Sequence, residues 1–175
     1  MKLILTPDNP APEGAVVATI HAADGLVIRT ARWRPQGLSA GTVLVCPGRA
    51  EFIEKYFETV GELLARGLTV VAFDWRGQGL SARELSNRSK GHIDDFSHYE
   101  RDLEALVAQV LAPFCPRPWF AIAHSMGGAI LIAQARAGRS PFERIVTTAP
   151  MIDLYRLRLP RLARALAQTL DAVGL

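Results

Sequence analysis

Short apolar runs alternate with segments of helical periodicity along most of the chain, and this alternation constrains the fold more than any other feature. The runs read GTVLVCPG, LTVVAFD, WFAIAH and RIVTTAP. Each is too short for a core helix, and most of them end at a glycine, a proline or a charged residue. Continuous apolar runs of this length are typical of parallel strands that are buried on both faces.

Three segments with apolar residues at helical spacing separate these runs. They cover residues 52–66, residues 96–111 and the stretch that begins at Met126. The strand–helix–strand order predicts an α/β fold in which a mostly parallel sheet has helices on both faces. Asp24 and Gly25 lie between two earlier β-rich runs, which predicts an N-terminal β-hairpin.

Composition excludes several classes of protein. The 175 residues suit one domain, and the formal charge of +3 comes without the basic runs of a nucleic-acid groove. Cys46 and Cys115 lie far apart and lack metal-ligand spacing, so we expect neither a disulfide scaffold nor a zinc site. We also expect no other metal ion and no cofactor. We find neither a signal-peptide apolar region nor a stretch long enough to span a bilayer, which predicts a cytoplasmic protein.

One serine stands where a buried strand gives way to a helix, in the sequence AIAHSMGG. A sharp turn there needs small residues two places before and after Ser125, and Ala123 and Gly127 fill those places. Such a turn lifts the hydroxyl out of the sheet and points free helix N–H groups at its target. We therefore predict that Ser125 is a nucleophile and that the Met126 N–H is one oxyanion donor. The alternative is that Ser125 only caps the helix.

Several motifs, taken jointly and in order, resemble those of the α/β-hydrolase superfamily. Within it, the chain is similar to the lysophospholipase and monoacylglycerol lipase branch of serine hydrolases. The motifs are CPGRAEFIEKY, FDWRGQGLS, HIDDFSHYERDLEAL, AHSMGG and TTAPMID. The resemblance covers about residues 15–155 and implies the α/β-hydrolase fold. It also implies hydrolysis of lysophospholipid or monoacylglycerol esters through an acyl-serine intermediate.

The resemblance makes CPGRAEFIEKY the oxyanion loop. By position, the Arg49 N–H is then the second oxyanion donor, and Gly48 and His124 line the substrate site. Three positions depart from the family's pattern: Pro47, Ala50 and Ala123 stand where His, Gly and Gly are usual.

A serine hydroxyl needs a base, and in this fold the chain order is serine, acid, histidine. No histidine follows Ser125 in these residues. A convergent triad that uses His92 or His98 is the less favoured alternative, while Asp94, Asp95 and Asp102 resemble helix caps or a solvated face. His124 is expected to line the site and not to act as the base.

The resemblance therefore implies an incomplete chain that is truncated at the start of a lid. Residues 1–153 are expected to form the N-terminal part of the hydrolase core and residues 154–175 the start of the lid. Asp153 matches the lid entrance and not the triad acid. The acid and the histidine would then lie on a missing C-terminal part with which the chain associates.

The last segment has an apolar face flanked by arginines. Its members are Leu162, Leu166, Leu170, Val173, Arg161 and Arg164. This pattern is typical of a helix that covers an acyl chain or makes peripheral contact with an anionic lipid surface, although an ordinary packed helix has the same pattern. Two further hypotheses stay open: an inactive remnant that only binds an apolar ligand or a partner, and an acyltransferase.

Overall fold

A six-stranded sheet lies at the centre of the computed structural model, which describes residues 1–153 and 160–173. Its strands are β1 (Val16–His21), β2 (Val27–Trp33), β3 (Thr42–Cys46), β4 (Thr69–Phe73), β5 (Trp119–His124) and β6 (Arg144–Thr148). They are ordered β1-β2-β4-β3-β5-β6. Strands β4, β3, β5 and β6 are parallel, whereas β2 is antiparallel to both β1 and β4. The predicted hairpin and the mostly parallel sheet are confirmed.

Helices connect the parallel strands, and one more helix follows β6 in the chain. They are α1 (Phe57–Ala65), α2 (His98–Leu106), α3 (Ala112–Phe114), α4 (Ser125–Arg136) and α5 (Pro160–Ala172). A 3₁₀ turn, Ile53–Tyr56, precedes α1, and a π-helical turn, Val107–Leu111, joins α2 to α3. Pro113 follows the π-helical turn closely; it lacks a backbone donor and its ring crowds the carbonyl four residues earlier, which accounts for the widening there.

Alternate residues of the central strands pack in two separate apolar cores, one on each face of the sheet. Val45, Val70 and Ala72 pack with α1, whereas Leu44 and Val71 pack in a second cluster that includes residues of α2 and α4. Helices therefore lie on both faces of the sheet, as the alternation of apolar runs predicted. Because both faces are covered, every residue of β3 and β4 is buried.

A buried carboxylate connects the loops at one end of this sheet. Asp74 follows β4 and accepts a 2.7 Å hydrogen bond from the Nε of Arg29. It also accepts backbone N–H groups from Ile53 at 2.9 Å and from Leu80 at 2.7 Å. Arg29 in turn donates two hydrogen bonds to Glu54, at 2.7 and 2.8 Å. The carboxylate thus fixes the segment after β3 against the segment after β4.

A second buried ion pair corrects one expectation from the sequence. The prediction that Asp102 lies on a solvated face or caps a helix is wrong: its side chain is fully buried and accepts hydrogen bonds from Arg76, the shortest at 2.6 Å. Arg76 is itself buried and also bonds Asp24 at 2.7 Å. A buried guanidinium needs carboxylate partners, so α2 turns this aspartate inward. Asp95 does accept a 2.8 Å hydrogen bond from the Ser97 N–H just before α2.

The predicted lid lies partly outside the described residues, because residues 154–159 and 174–175 are not among them. The division at residue 153 therefore stays a prediction. Within the described ranges, no helix is both long and apolar enough to cross a membrane.

The substitution Asp74→Asn should lower the free energy of unfolding by about 3 kcal/mol, because it leaves a buried guanidinium without one of its charged partners. Urea denaturation measures this loss. The matched control is Glu62→Gln, which breaks an exposed pair with Arg66 and should cost less than about 0.5 kcal/mol. Equal losses in the two variants would contradict the role given to Asp74.

Candidate active site

Ser125 occupies the sharp turn between β5 and α4. Its φ angle is 47°, in the left-handed region that residues with a Cβ rarely adopt. His124 before it is still extended, at φ −110° and ψ 140°. The structure therefore places Ser125 at a strained strand-to-helix apex, which is where the sequence puts it.

The start of α4 is pressed against the end of β3. A Cβ on Gly127 would lie 2.5 Å from the carbonyl oxygen of Cys46 and 2.6 Å from that of Pro47. Only glycine permits this approach. The loop after Pro47 and the serine turn are consequently neighbours in space.

The Ser125 hydroxyl has no hydrogen-bond partner within residues 1–153 and 160–173. Its residue is half-buried, and its backbone carbonyl accepts a 2.9 Å hydrogen bond from the Met151 N–H. The Met126 N–H belongs to the first turn of α4, whose donors have no intrahelical acceptor. A free alcohol and a free helix donor therefore occur on adjacent residues.

Within the segment CPGRAEFIEKY we keep the name oxyanion loop for residues 47–52, and side chains of the loop after β4 bond two of its backbone groups. The indole of Trp75 donates a 2.8 Å hydrogen bond to the Pro47 carbonyl, and Gln78 accepts the Ala50 N–H. The Gly48 N–H donates to Glu51 at 2.6 Å. Among the described residues, no acceptor meets the Arg49 N–H. The Arg49 N–H, which the resemblance implies is an oxyanion donor, is therefore free to bind a ligand.

Ala50 adopts a φ angle of 60° in this loop. The family's pattern has glycine at this position, and the left-handed region explains that preference. The alanine of this chain adopts the left-handed conformation all the same, and its N–H donates a hydrogen bond to the side-chain oxygen of Gln78.

Glu51 is the buried anchor of the oxyanion loop. Besides the Gly48 N–H, it accepts hydrogen bonds from Lys55 and from the hydroxyl of Tyr56. Burial disfavours its charge, but the hydrogen bonds from Lys55 and Tyr56 outweigh burial and hold the pKa of Glu51 below its usual range. Burial and the same carboxylate raise the pKa of Tyr56.

The structure brings together Gly48 and His124, two predicted substrate-site residues. A Cβ on Gly48 would lie 3.0 Å from the Cδ2 of His124. The imidazole Nδ1 lies 3.1 Å from the Thr148 hydroxyl, and Nε2 lies 3.9 Å from Glu51. Gly48 is buried and His124 is half-buried, so the imidazole is the more accessible of the two.

The other three histidines lie near groups other than Ser125, although the buried Nδ1 of His98 forms no hydrogen bond among the described residues. His92 Nε2 lies 2.7 Å from Asp94, and His98 Nδ1 lies 3.7 Å from Glu84. His21 contacts a backbone carbonyl of the β1–β2 turn at 3.4 Å. Glu84, His92 and Asp94 hold donor atoms within 4.8 Å of one another, but exposed acidic groups often cluster without a metal ion, so this cluster assigns no metal site.

A family model described as serine aminopeptidase, S33, matches residues 38–174. The chain belongs to this S33 family of α/β hydrolases. It is 36% identical to lysophospholipase L2 of Escherichia coli strain K12 over 143 residues, which are 82% of this chain and 42% of that protein. It is 31% identical to monoglyceride lipase of Rattus norvegicus over 130 residues, 74% of this chain and 41% of that protein. The chain thus spans less than half the length of these relatives.

Solved structures agree with this family. A soluble variant of monoglyceride lipase from Saccharomyces cerevisiae, in complex with a substrate analogue, superposes with a TM-score of 0.67 at 25% identity. The match covers 94% of this chain and 55% of that one. A carboxyl esterase from Bacillus coagulans gives a TM-score of 0.72 at 19% identity, covering 93% of this chain and 52% of that one, and supports the fold. The resemblance stated from the motifs is confirmed.

Sequence reasoning on this S33 chain missed the side chains that hold the oxyanion loop. Trp75 and Gln78 lie in the motif FDWRGQGLS, directly after β4. Since β4 pairs with β3, the loops that follow these two strands meet at one edge of the sheet. The available sequence signal was therefore that each of the two motifs directly follows a predicted strand of the same parallel sheet.

The substitution Gly127→Ala should lower the free energy of unfolding by about 1–3 kcal/mol, because its methyl group overlaps two backbone carbonyl oxygens. Urea denaturation provides the measurement. Gly61→Ala in α1 is the matched control, since a Cβ there meets nothing within 4 Å. This control should gain roughly 0.5–1 kcal/mol. A neutral Gly127→Ala would show that α4 and the loop are not in tight contact.

The substitution Glu51→Gln should destabilise the chain in a pH-dependent manner. The folded pKa of Glu51 is lowered, so its contribution is complete above the unfolded pKa of about 4.3 and is lost as the pH falls through the folded value. The difference in unfolding free energy between wild type and variant should therefore be largest near neutral pH and shrink in acid.

Urea titrations between about pH 3 and pH 7 measure this difference across the pKa range of a glutamate. The control is Glu58→Gln, an exposed residue in the first turn of α1. A Glu51→Gln difference that stays constant with pH would refute the ionised anchor.

Proposed function

We propose that this chain carries the nucleophile of a serine hydrolase that cleaves carboxylic esters of lysophospholipids or monoacylglycerols. One observation supports this above all. The Ser125 hydroxyl has no partner among the described residues, and it stands at a strained turn next to a loop with a free N–H at Arg49. Together with the Met126 N–H, that donor can hold a developing oxyanion.

In the proposed reaction, a base removes the Ser125 proton while the oxygen bonds to the ester carbonyl carbon. The carbonyl electron pair moves onto its oxygen, where the Met126 and Arg49 N–H groups stabilise the negative charge. Collapse expels the alcohol, which takes the proton from the base. Water repeats the sequence on the acyl-serine and frees the fatty acid.

We place the base and its acid outside these 175 residues. All four histidines precede or adjoin Ser125, and each contacts another group: His21 a carbonyl, His92 Asp94, His98 Glu84 and His124 Thr148. A histidine supplied by another segment would complete the serine-first order of this fold. The names of the relatives, lysophospholipase L2 and monoglyceride lipase, favour lipid esters as substrates.

Helix α5 supports contact with lipid. Leu162 and Leu166 are 63% and 59% exposed, and Arg161 and Arg164 are exposed beside them. An apolar face with flanking cations suits an acyl chain or an anionic membrane surface. The cytoplasmic location inferred from the sequence stays a prediction.

The test uses a fluorophosphonate probe, which forms a covalent bond only with an activated serine. The complete product of the reading frame that encodes these residues should be labelled, and Ser125→Ala should abolish this labelling and lower ester hydrolysis by roughly a million-fold. The control Ser86→Ala changes an exposed serine and should leave both unchanged.

Residues 1–175 expressed alone should label far more slowly than the complete product, because the proposed base is outside them. A complete product that neither labels nor hydrolyses esters would overturn the proposal and favour the non-catalytic ligand-binding alternative. Transfer of the acyl group to an alcohol in preference to water would favour the acyltransferase.

A further inference from the structure

A cavity of about 380 Å³ opens beside the oxyanion loop, and the proposed reaction does not use it. We call it the arginine cavity. The lining residues that matter here are Arg49, Gln78, Arg83, Arg88, His92 and Tyr99. The cavity lies between the loop after β3 and the long loop that follows β4.

Three guanidinium groups of this cavity have no carboxylate partner within the described residues. Arg49 and Arg88 are exposed and form no ion pair, and Arg83 bonds only the backbone carbonyls of Gly77 and Gly79. Burial, together with the nearby charge of Arg88, lowers the pKa of Arg83. The cavity therefore holds positive charges that repel one another.

The carboxylates nearby are already paired. Arg76, which also lines the cavity, is paired with Asp24, Asp102 and Glu84, and Asp94 contacts His92. None of these carboxylates forms an ion pair with Arg49, Arg83 or Arg88 within the described residues.

A buried donor gives independent evidence for a ligand. Gln78 is only 8% exposed, and its Nε2 has no hydrogen-bond partner among the described residues. The Nε of Arg83 is buried and unpaired as well. Buried donors without acceptors cost free energy, so the cavity suits a group that supplies acceptor oxygens. Guanidinium forks match the oxygens of a phosphate in particular.

Arg49 joins this cavity to the candidate active site. Its backbone N–H is the proposed oxyanion donor, while its guanidinium extends to the loop after β4, where a Cβ on Gly91 would lie 2.9 Å from it. Gln78 makes the same connection, because its oxygen accepts the Ala50 N–H. In a lysophospholipid, the glycerol similarly places a phosphate a short distance from the ester.

We propose that Arg49, Arg83 and Arg88, with the amide of Gln78, bind the phosphate of a lysophospholipid head group, so that the site prefers lysophospholipids to monoacylglycerols. The assignment of this lipid as a substrate rests on the proposed function. The binding itself does not, because it needs no activated serine.

Calorimetric titration of the 175-residue chain tests the preference directly. The probes are a lysophosphatidylglycerol and a monoacylglycerol with the same acyl chain, each below its critical micelle concentration. We expect the phosphate-bearing lipid to bind at least about tenfold more tightly. Arg88→Gln should remove most of that preference while monoacylglycerol binding stays the same, and Arg49→Gln should also weaken binding of the phosphate-bearing lipid.

Arg136→Gln is the matched control, since it removes one exposed arginine from the end of α4, away from the cavity. Circular dichroism confirms that each variant is folded. Equal binding of the two lipids would overturn the inference, and so would an equal loss of preference in the control. Inorganic phosphate alone should bind more weakly than the lipid; if it binds as tightly, the cavity is a site for a free anion and the head-group assignment fails.

Serine labelling separates this inference from the proposed function. If the complete product is not labelled but the 175-residue chain still prefers the phosphate-bearing lipid, the hydrolase proposal is wrong and the anion site is supported. If the complete product is labelled but the 175-residue chain binds both lipids equally, the hydrolase proposal is supported and only the anion site is wrong.

Discussion

The buried carboxylate of Asp74 is the interaction on which the arrangement of this end of the sheet depends. It neutralises Arg29 and accepts backbone N–H groups from Ile53 and Leu80. The space around it is so limited that a Cβ on Gly79 would lie 2.2 Å from its carboxylate. Removal of this charge would release the segments after β3 and β4 together, and these segments form the oxyanion loop and one wall of the arginine cavity.

Parallel strands bring the chemistry to one place. The loops after β3, β4 and β5 begin at the carboxyl ends of neighbouring strands, where open α/β sheets bind their ligands. The fold thereby places three different motifs of the sequence in contact. Each supplies a different part: the first a free backbone donor, the second the side chains that hold the loop, and the third the serine.

The sequence was sufficient for the elements whose signal is local. Apolar runs predicted the buried strands, and the small residues around Ser125 predicted its sharp turn. The position of Asp102 could not be predicted in this way, because the residue that turns it inward is Arg76, on a separate loop. The unpaired arginines of the cavity had no local signal either, since the absence of a partner is decided by the whole fold. Helix periodicity likewise gave no indication of the π-helical turn after α2.

Ala50 has a consequence for how the loop behaves before any substrate arrives. An alanine in the left-handed region is strained by roughly 1 kcal/mol, and a chain that tolerates this must hold it there by other contacts. Here the hydrogen bond to Gln78 and the anchor at Glu51 hold the backbone. The loop therefore reaches its final backbone conformation when the chain folds. We expect it to stay rigid and to rearrange little when a ligand binds.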